Sequence, residues 1–269
     1  MQPALPVGSA LAQRLARSPL SIFLDIDGTL APIAPRPDQV LVPPEVLTLI
    51  GDLARAPAVH VAIVTGRSVA AARALVPVDG IGFIGNHGFE ILGEDGTMIV
   101  SPEAQQARAA MAAVAREIDA IQRRHQGLIL EDKTWTLSLH YRLAERGVIA
   151  GVVSEVNDIA RRSGLVTTTG KEIIEVRPPA TIDKGTAAVA LARGVGALDG
   201  NGTPVYIGDD RTDEDAFHAL RAVSSNAVTI RVGNPIAGDQ SHAEFGVVGP
   251  DDVRDFLREL LTLRRAGVR

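Results

Sequence analysis

Two aspartates separated by one residue close the apolar run of SIFLDIDGTLAPI (residues 21–33), and a glycine follows them. Like charges this close repel, and taking a carboxylate out of water costs on the order of several kcal/mol unless a cation or a proton compensates it. In that position Asp25 can attack an electrophile, and Asp27 can pass a proton to the leaving group. Three further sites carry polar residues: Thr65 ends HVAIVTG before Gly66, Lys184 opens KGTAAVALARGVG, and Asp209, Asp210 and Asp213 stand in GDDRTDEDAF. Asp209 with Asp210 or Asp213 supplies oxygens for a hard divalent cation, and Mg2+ favours few carboxylates, several waters and phosphate oxygens. Such an ion would relieve the repulsion at Asp25 and Asp27 and neutralise a phosphoryl group under attack. The Thr65 hydroxyl and the Lys184 ammonium would then bind the remaining phosphoryl oxygens, where transition-state charge spreads.

Each piece alone has a plainer reading. DGT is a common turn, Thr65 before Gly66 suits a helix cap, and a lone lysine is usually a surface charge. GDDRTDED could be a capping cluster, since acids favour a helix N-terminus, or a weak calcium loop. What sets the group apart is its order along the chain: carboxylate pair, hydroxyl, lysine, acidic cluster.

The elements that must position these residues follow from the alternation of short apolar runs with helical patterns. That alternation predicts an α/β fold, a parallel sheet with helices on both faces. In such a sheet the carboxyl ends of the strands gather on one edge, where ligands bind. Residues 102–178 have a different texture, helix–hairpin–helix–hairpin, and read as an inserted α+β cap in a core made of 1–101 and 179–269. Insertions of this kind commonly act as lids. The 269 residues are 46% hydrophobic but only 3% aromatic, so the core must be mostly aliphatic. With no cysteine, disulfides and cysteine-ligated metals are excluded, and a net charge of −5 argues against nucleic-acid or anionic-membrane partners. The first 19 residues lack the apolar core of a signal peptide and read at most as a packing helix; no run approaches the ~18 apolar residues of a spanning helix. A soluble, cytoplasmic protein is expected.

With DIDGT, TGR, DKG and GDDRTDED in this order, the chain resembles the haloacid dehalogenase superfamily, whose phosphatases and phosphomutases carry an aspartate two residues after the nucleophile. Within it, LDIDGTLAPI, GNHGFE (85–90), LEDKTWTLSLHYR (130–142) and GKEIIEVRP (170–178) are similar to the trehalose-6-phosphate phosphatase family over about residues 20–262; Ile26 stands where that family commonly has Tyr. The resemblance implies a Rossmann-like core with an inserted cap and Mg2+-dependent hydrolysis of trehalose 6-phosphate to trehalose and phosphate. It implies Asp25 as nucleophile through an aspartyl-phosphate, Asp27 as general acid and then base, and Thr65 and Lys184 as phosphoryl ligands. Metal ligation would fall to Asp25, the Asp27 carbonyl and Asp209, with Asp210 or Asp213 assisting. A synthase supplying the sugar phosphate is an implied partner.

The two cap hairpins would read the sugar, because a disaccharide offers many hydroxyls that charged and amide side chains bind directionally. Glu131, Lys133, His140 and Arg142 fall in one hairpin, and Lys171, Glu175 and Arg177 in the other; Lys171 and Glu175 share strand parity. Asp132, of opposite parity to Glu131, is expected to face solvent, and Trp135 to pack or else to stack on a sugar. Gly28, Gly66, Arg67, Asn86 and His87 join Asp25, Asp27, Thr65 and Lys184 in the expected substrate-binding set at the core edge. Two other functions compete: a phosphatase or phosphomutase on another sugar phosphate (sucrose-, mannosylglycerate- or mannose-type), and a non-catalytic sugar-phosphate sensor. Intact motifs count against the sensor.

Overall fold

A computed structural model describes residues 2–3, 7–170, 172–234 and 240–266. The chain divides into two compact units, one of Met1–Ile99 with Ile182–Arg269 and one of Val100–Thr181.

In the first unit, strands β1 (Gln2–Pro3), β2 (Leu20–Leu24), β3 (Val59–Val64), β4 (Gly82–Gly85), β5 (Glu90–Leu92) and β6 (Met98–Val100) alternate with helices α1 (Ser9–Leu15), α2 (Pro44–Ala54) and α3 (Val69–Leu75). After the insertion come α6 (Lys184–Gly194), β11 (Thr203–Gly208), α7 (Arg211–Val223), β12 (Val228–Val232), β13 (Phe245–Val247) and α8 (Pro250–Ala266). The sheet runs β1-β13-β12-β11-β2-β3-β4-β5-β6. It is parallel from β1 to β4, and β5 is antiparallel to β4.

Strands covered on both faces read as near-continuous apolar runs, which is why SIFL and HVAIV carry so few polar residues. Ile22, Leu24, Val61, Ile63, Val205 and Ile207 pack with α1, α2, α3 and α8 in one aliphatic core. The alternate residues Phe23, Ala62, Val64 and Tyr206 pack with α6 and α7 in a second core on the opposite face. Ser68 caps α3, its Oγ accepting from the Ala71 amide at 3.2 Å, so Thr65 is left for another purpose.

The second unit contains α4 (Pro102–Arg124), β7 (Ile129–Asp132), β8 (Leu137–His140), α5 (Arg146–Arg162), β9 (Val166–Gly170) and β10 (Ile173–Arg177). Its antiparallel sheet has the order β7-β8-β10-β9. Both helices cover one sheet face, where Met111, Val114, Ile118, Val152 and Val156 meet Leu137, Leu139, Ile174 and Val176. The period of two then places Ser138, His140, Ile173 and Glu175 on the other face.

The structure adds what the periodicities miss. Strands β5, β6 and β13 are three residues each, too short to show a period, and they exist through pairing with neighbours. Among the described residues no helix is long and apolar enough to cross a membrane. Phe256 of α8 is fully buried. Its replacement in Phe256→Ala is expected to lower stability by about 3–5 kcal/mol, read from urea unfolding.

Candidate active site

Four adjacent parallel strands, β11, β2, β3 and β4, end on one edge of the sheet, and the residues that follow them are Asp209, Asp25, Thr65 and Asn86. Lys184 reaches the same place from the first turn of α6, which Asp183 caps through a reciprocal box with Thr186. Residues spread over more than 180 positions thus share one site by topology alone.

At its centre the Lys184 ammonium donates to Asp25 Oδ1 at 2.9 Å and to Asp213 Oδ1 at 2.8 Å. Lys184 is 2% exposed, Asp25 4% and Asp213 0%, so this bridge has left water. The Tyr206 phenol, stacked on Phe23 and edge-on to Phe217, donates to Asp213 Oδ1 at 2.8 Å, and the Asp210 amide donates to Asp213 Oδ2 at 3.0 Å. Both Asp213 oxygens thus accept from protein donors. Burial alone would lower the Lys184 ammonium, but the Asp213 and Asp25 carboxylates hold it well above its usual range. Burial drives the Asp25 carboxyl well up; Lys184 opposes that rise, while Asp213, Asp209 and Asp27 add to it. Burial, then Asp213, pushes the Tyr206 phenol up, which keeps it a donor.

The upward Asp25 thus reflects burial first and the neighbouring carboxylates only after it. Asp25, Asp209 and Asp213 are buried and each offers a carboxylate oxygen within 4.8 Å of the others, a donor set of hard oxygens that suits Mg2+. Gly28 lets this set form: its φ is +90°, and a Cβ there would stand 2.3 Å from Asp209 Oδ2. Asp210 caps α7, its Oδ1 accepting from the Thr212 amide at 2.8 Å.

Asp27 is gripped by Arg67, whose Nε and Nη2 each donate to one of its oxygens at 2.7 Å. The Thr65 hydroxyl is buried beside it and accepts from the Arg67 amide at 3.2 Å. Asn86 and His87 hold positive φ angles of 48° and 56°, a strained pair in a turn at the same edge. The His87 ring lies against Gly66, where a Cβ would be 2.4 Å from Nε2. Glu90, which no motif reading singled out for a role, holds this turn by accepting from Asn86 Nδ2 at 2.6 Å and the Val69 amide at 2.7 Å. Tyr206 was equally hidden, since an aromatic in an apolar strand looks like packing.

Within the second unit, Glu131, Lys133, His140 and Glu175 come together. Lys133 Nζ is 3.4 Å from Glu175 Oε1 and 4.0 Å from Glu131 Oε2, and His140 Nε2 is 3.2 Å from Glu131 Oε2. Ser138, a residue with no sequence signal, adds its hydroxyl 3.4 Å from Glu175 Oε1. Lys133 and Glu175 are buried, and these contacts gather polar groups within the unit. Arg142 stands apart from them, its Nε donating to Glu172 Oε2 at 2.9 Å. Asp132 is exposed, and Arg108 lies 5.4 Å over the Trp135 ring. Lys171 lies outside the described residues.

A carboxyl whose folded value stands above its unfolded one weakens the fold as pH rises through that interval. At neutral pH without metal, Asp25→Asn is therefore expected to raise Tm by a few degrees, on the order of 1 kcal/mol. Calorimetry in chelator checks this; a lower Tm would mean that the Asp25–Lys184 pair outweighs the burial of charge.

Comparison with known proteins identifies the family. The model of the trehalose-phosphatase family matches residues 23–245. An uncharacterized glycosyl hydrolase of Mycobacterium tuberculosis is 34% identical over 262 residues, covering 96% of this chain and 19% of the relative. A trehalose-phosphate phosphatase of Mycobacterium avium is 35% identical over 256 residues, covering 93% of this chain and 64% of the relative. The chain thus spans about a fifth of the first of these curated relatives and just under two thirds of the second. The crystal structure of a trehalose-6-phosphate phosphatase related protein superimposes with a TM-score of 0.78 at 29% identity, covering 92% of this chain and 98% of that one. With the family's model spanning most of its length, the chain belongs to the trehalose-phosphatase family.

Proposed function

We propose that this chain hydrolyses trehalose 6-phosphate to trehalose and phosphate, with Mg2+ as cofactor and an aspartyl-phosphate on Asp25 as intermediate. The observation that carries the reading is the buried Asp25–Lys184–Asp213 bridge beside Asp209, at the carboxyl edge of the parallel sheet. Asp25 Oδ1 is held by Lys184, which leaves its second oxygen for attack on phosphorus. Lys184 neutralises charge on the phosphoryl oxygens, and the Thr65 hydroxyl and the turn at Asn86–His87 orient them. Asp25, Asp209 and the Asp27 carbonyl would hold the metal, while Asp213 holds Lys184 and Asp210 shapes the loop. Bound there, Mg2+ supplies Lewis-acid neutralisation of the phosphoryl group.

Asp27 protonates the departing sugar oxygen and then takes a proton from the water that cleaves the aspartyl-phosphate. Both of its oxygens accept from Arg67, so freeing one of them is a condition of the acid step. The insertion at 102–178 reads the sugar, with Glu131, Lys133, His140 and Glu175 binding its hydroxyls. Charged groups suit that task because hydrogen bonds to ions are stronger and directional. A trehalose-6-phosphate synthase would supply the substrate.

Phosphate release from a panel of sugar phosphates, with Mg2+ or with chelator, tests this. Trehalose 6-phosphate should be turned over at least tenfold faster than glucose 6-phosphate, and chelator should stop the reaction; equal rates would reassign the substrate. Asp25→Asn should reduce turnover by roughly 10⁴-fold or more. Lys133→Ala and Glu175→Ala should each raise KM for trehalose 6-phosphate by about tenfold, the loss of one charged hydrogen bond. Their activity on p-nitrophenyl phosphate should stay unchanged; parallel losses on both substrates would remove the cap assignment.

A further inference from the structure

A charged residue interrupts the apolar strand AVTIRVG (227–233). Val228, Ile230 and Val232 point into the aliphatic core, so Arg231 projects to the other face, towards the start of α7. It pairs in register with Gly208, the residue immediately before the acidic loop, and is 2% exposed. A guanidinium there runs against electrostatics twice: it is buried, and it sits at a helix N-terminus, whose dipole disfavours cations. Something must hold it.

The partners are the loop's own peptide groups. Arg231 Nη2 donates to the Asp209 carbonyl at 2.6 Å, and Nη1 donates to the Asp210 carbonyl at 3.3 Å and to Glu214 Oε1. Glu214 is fixed in turn by Ser241 Oγ at 2.8 Å and the His242 amide at 2.7 Å. The N–H of the same Asp209–Asp210 peptide donates to Asp213 Oδ2 at 3.0 Å. That peptide is therefore gripped on both edges, its oxygen by Arg231 and its nitrogen by Asp213. Its orientation sets where the Asp209 carboxylate points.

The tolerance is small. The Asp209 carboxylate occupies the space a Cβ on residue 28 would fill, and it stands beside Asp25 and Asp213 despite their mutual repulsion. Without a clamp, the repulsion would turn the loop outward until a cation arrived. We propose that Arg231 is a positioning residue, whose planar fork across two carbonyls keeps Asp209 preorganised for a divalent cation. Lysine cannot do this, because an ammonium lacks the rigid fork that spans both oxygens. The inference rests on the proposed metal site and adds to it a residue that touches neither metal nor substrate.

The test uses the whole chain, stripped of metal, as wild type, Arg231→Met, Arg231→Lys and Asp209→Asn. Mn2+ is the probe, its binding followed by the paramagnetic resonance of the free ion, and Tm is recorded in chelator and in saturating Mn2+. Both Arg231 variants should raise the Kd for Mn2+ by about tenfold or more, the usual effect of losing a residue that orients a ligand. The Mn2+-induced rise in Tm should shrink in parallel. If the arginine only supports the fold, Tm in chelator falls while Kd stays within about twofold of wild type, and the inference is overturned. Should Arg231→Met fail to fold, Arg231→Lys decides, because it keeps the charge opposite Glu214. Asp209→Asn separates the two readings. A normal Kd in Asp209→Asn overturns the metal site and this inference together; a weakened Kd there with normal Arg231 variants overturns this inference alone.

Discussion

The rest of the core is arranged around a buried ammonium bridging two buried carboxylates. Lys184 takes Asp25 from the end of β2 and Asp213 from the first turn of α7, at 2.9 and 2.8 Å. Three elements distant in sequence are tied at one point by charges that have left water. Such a bridge survives only if every remaining bonding position is filled, because a buried charge that loses its partner costs on the order of 3–5 kcal/mol. Tyr206 and the Asp210 amide meet that demand on Asp213.

The same constraint explains the form of the acidic loop. Four acids within the six residues 209–214 repel one another, yet the structure separates their duties. Asp210 caps α7, Asp213 anchors Lys184 and Tyr206, Glu214 meets Arg231, and Asp209 is left beside Asp25. The capping reading of GDDRTDED holds for Asp210, whereas Asp213 bonds Lys184 and Tyr206 instead. In the inserted unit the division of labour is by face: even-spaced apolar residues bind the helices, and Ser138, His140 and Glu175 of the alternate parity join Lys133 and Glu131.

Much of this architecture was legible beforehand. Apolar runs mark strands buried on both faces, as in β2, β3 and β11. The short strands β5, β6 and β13 were illegible because three residues carry no period and their stability comes from neighbours. Arg67 could be read only as a core-edge residue for phosphate or the first sugar ring; its bidentate grip on Asp27 depends on how two loops approach one another. Arg142 carries the same charge as Lys133 but pairs with Glu172, because the hairpin turn brings that carboxylate to it.

The sequence by itself determined the kinds of group present and their order: a carboxylate pair, a hydroxyl, a lysine and an acidic cluster, on an α/β pattern that sends strand ends to one edge. Those features are local, set by side-chain type and by the periods of strand and helix. Only the tertiary structure decided which carboxylate meets which cation. That choice depends on distances of a few ångströms between segments from 17 to 159 residues apart, and on burial, which gives each pairing its strength.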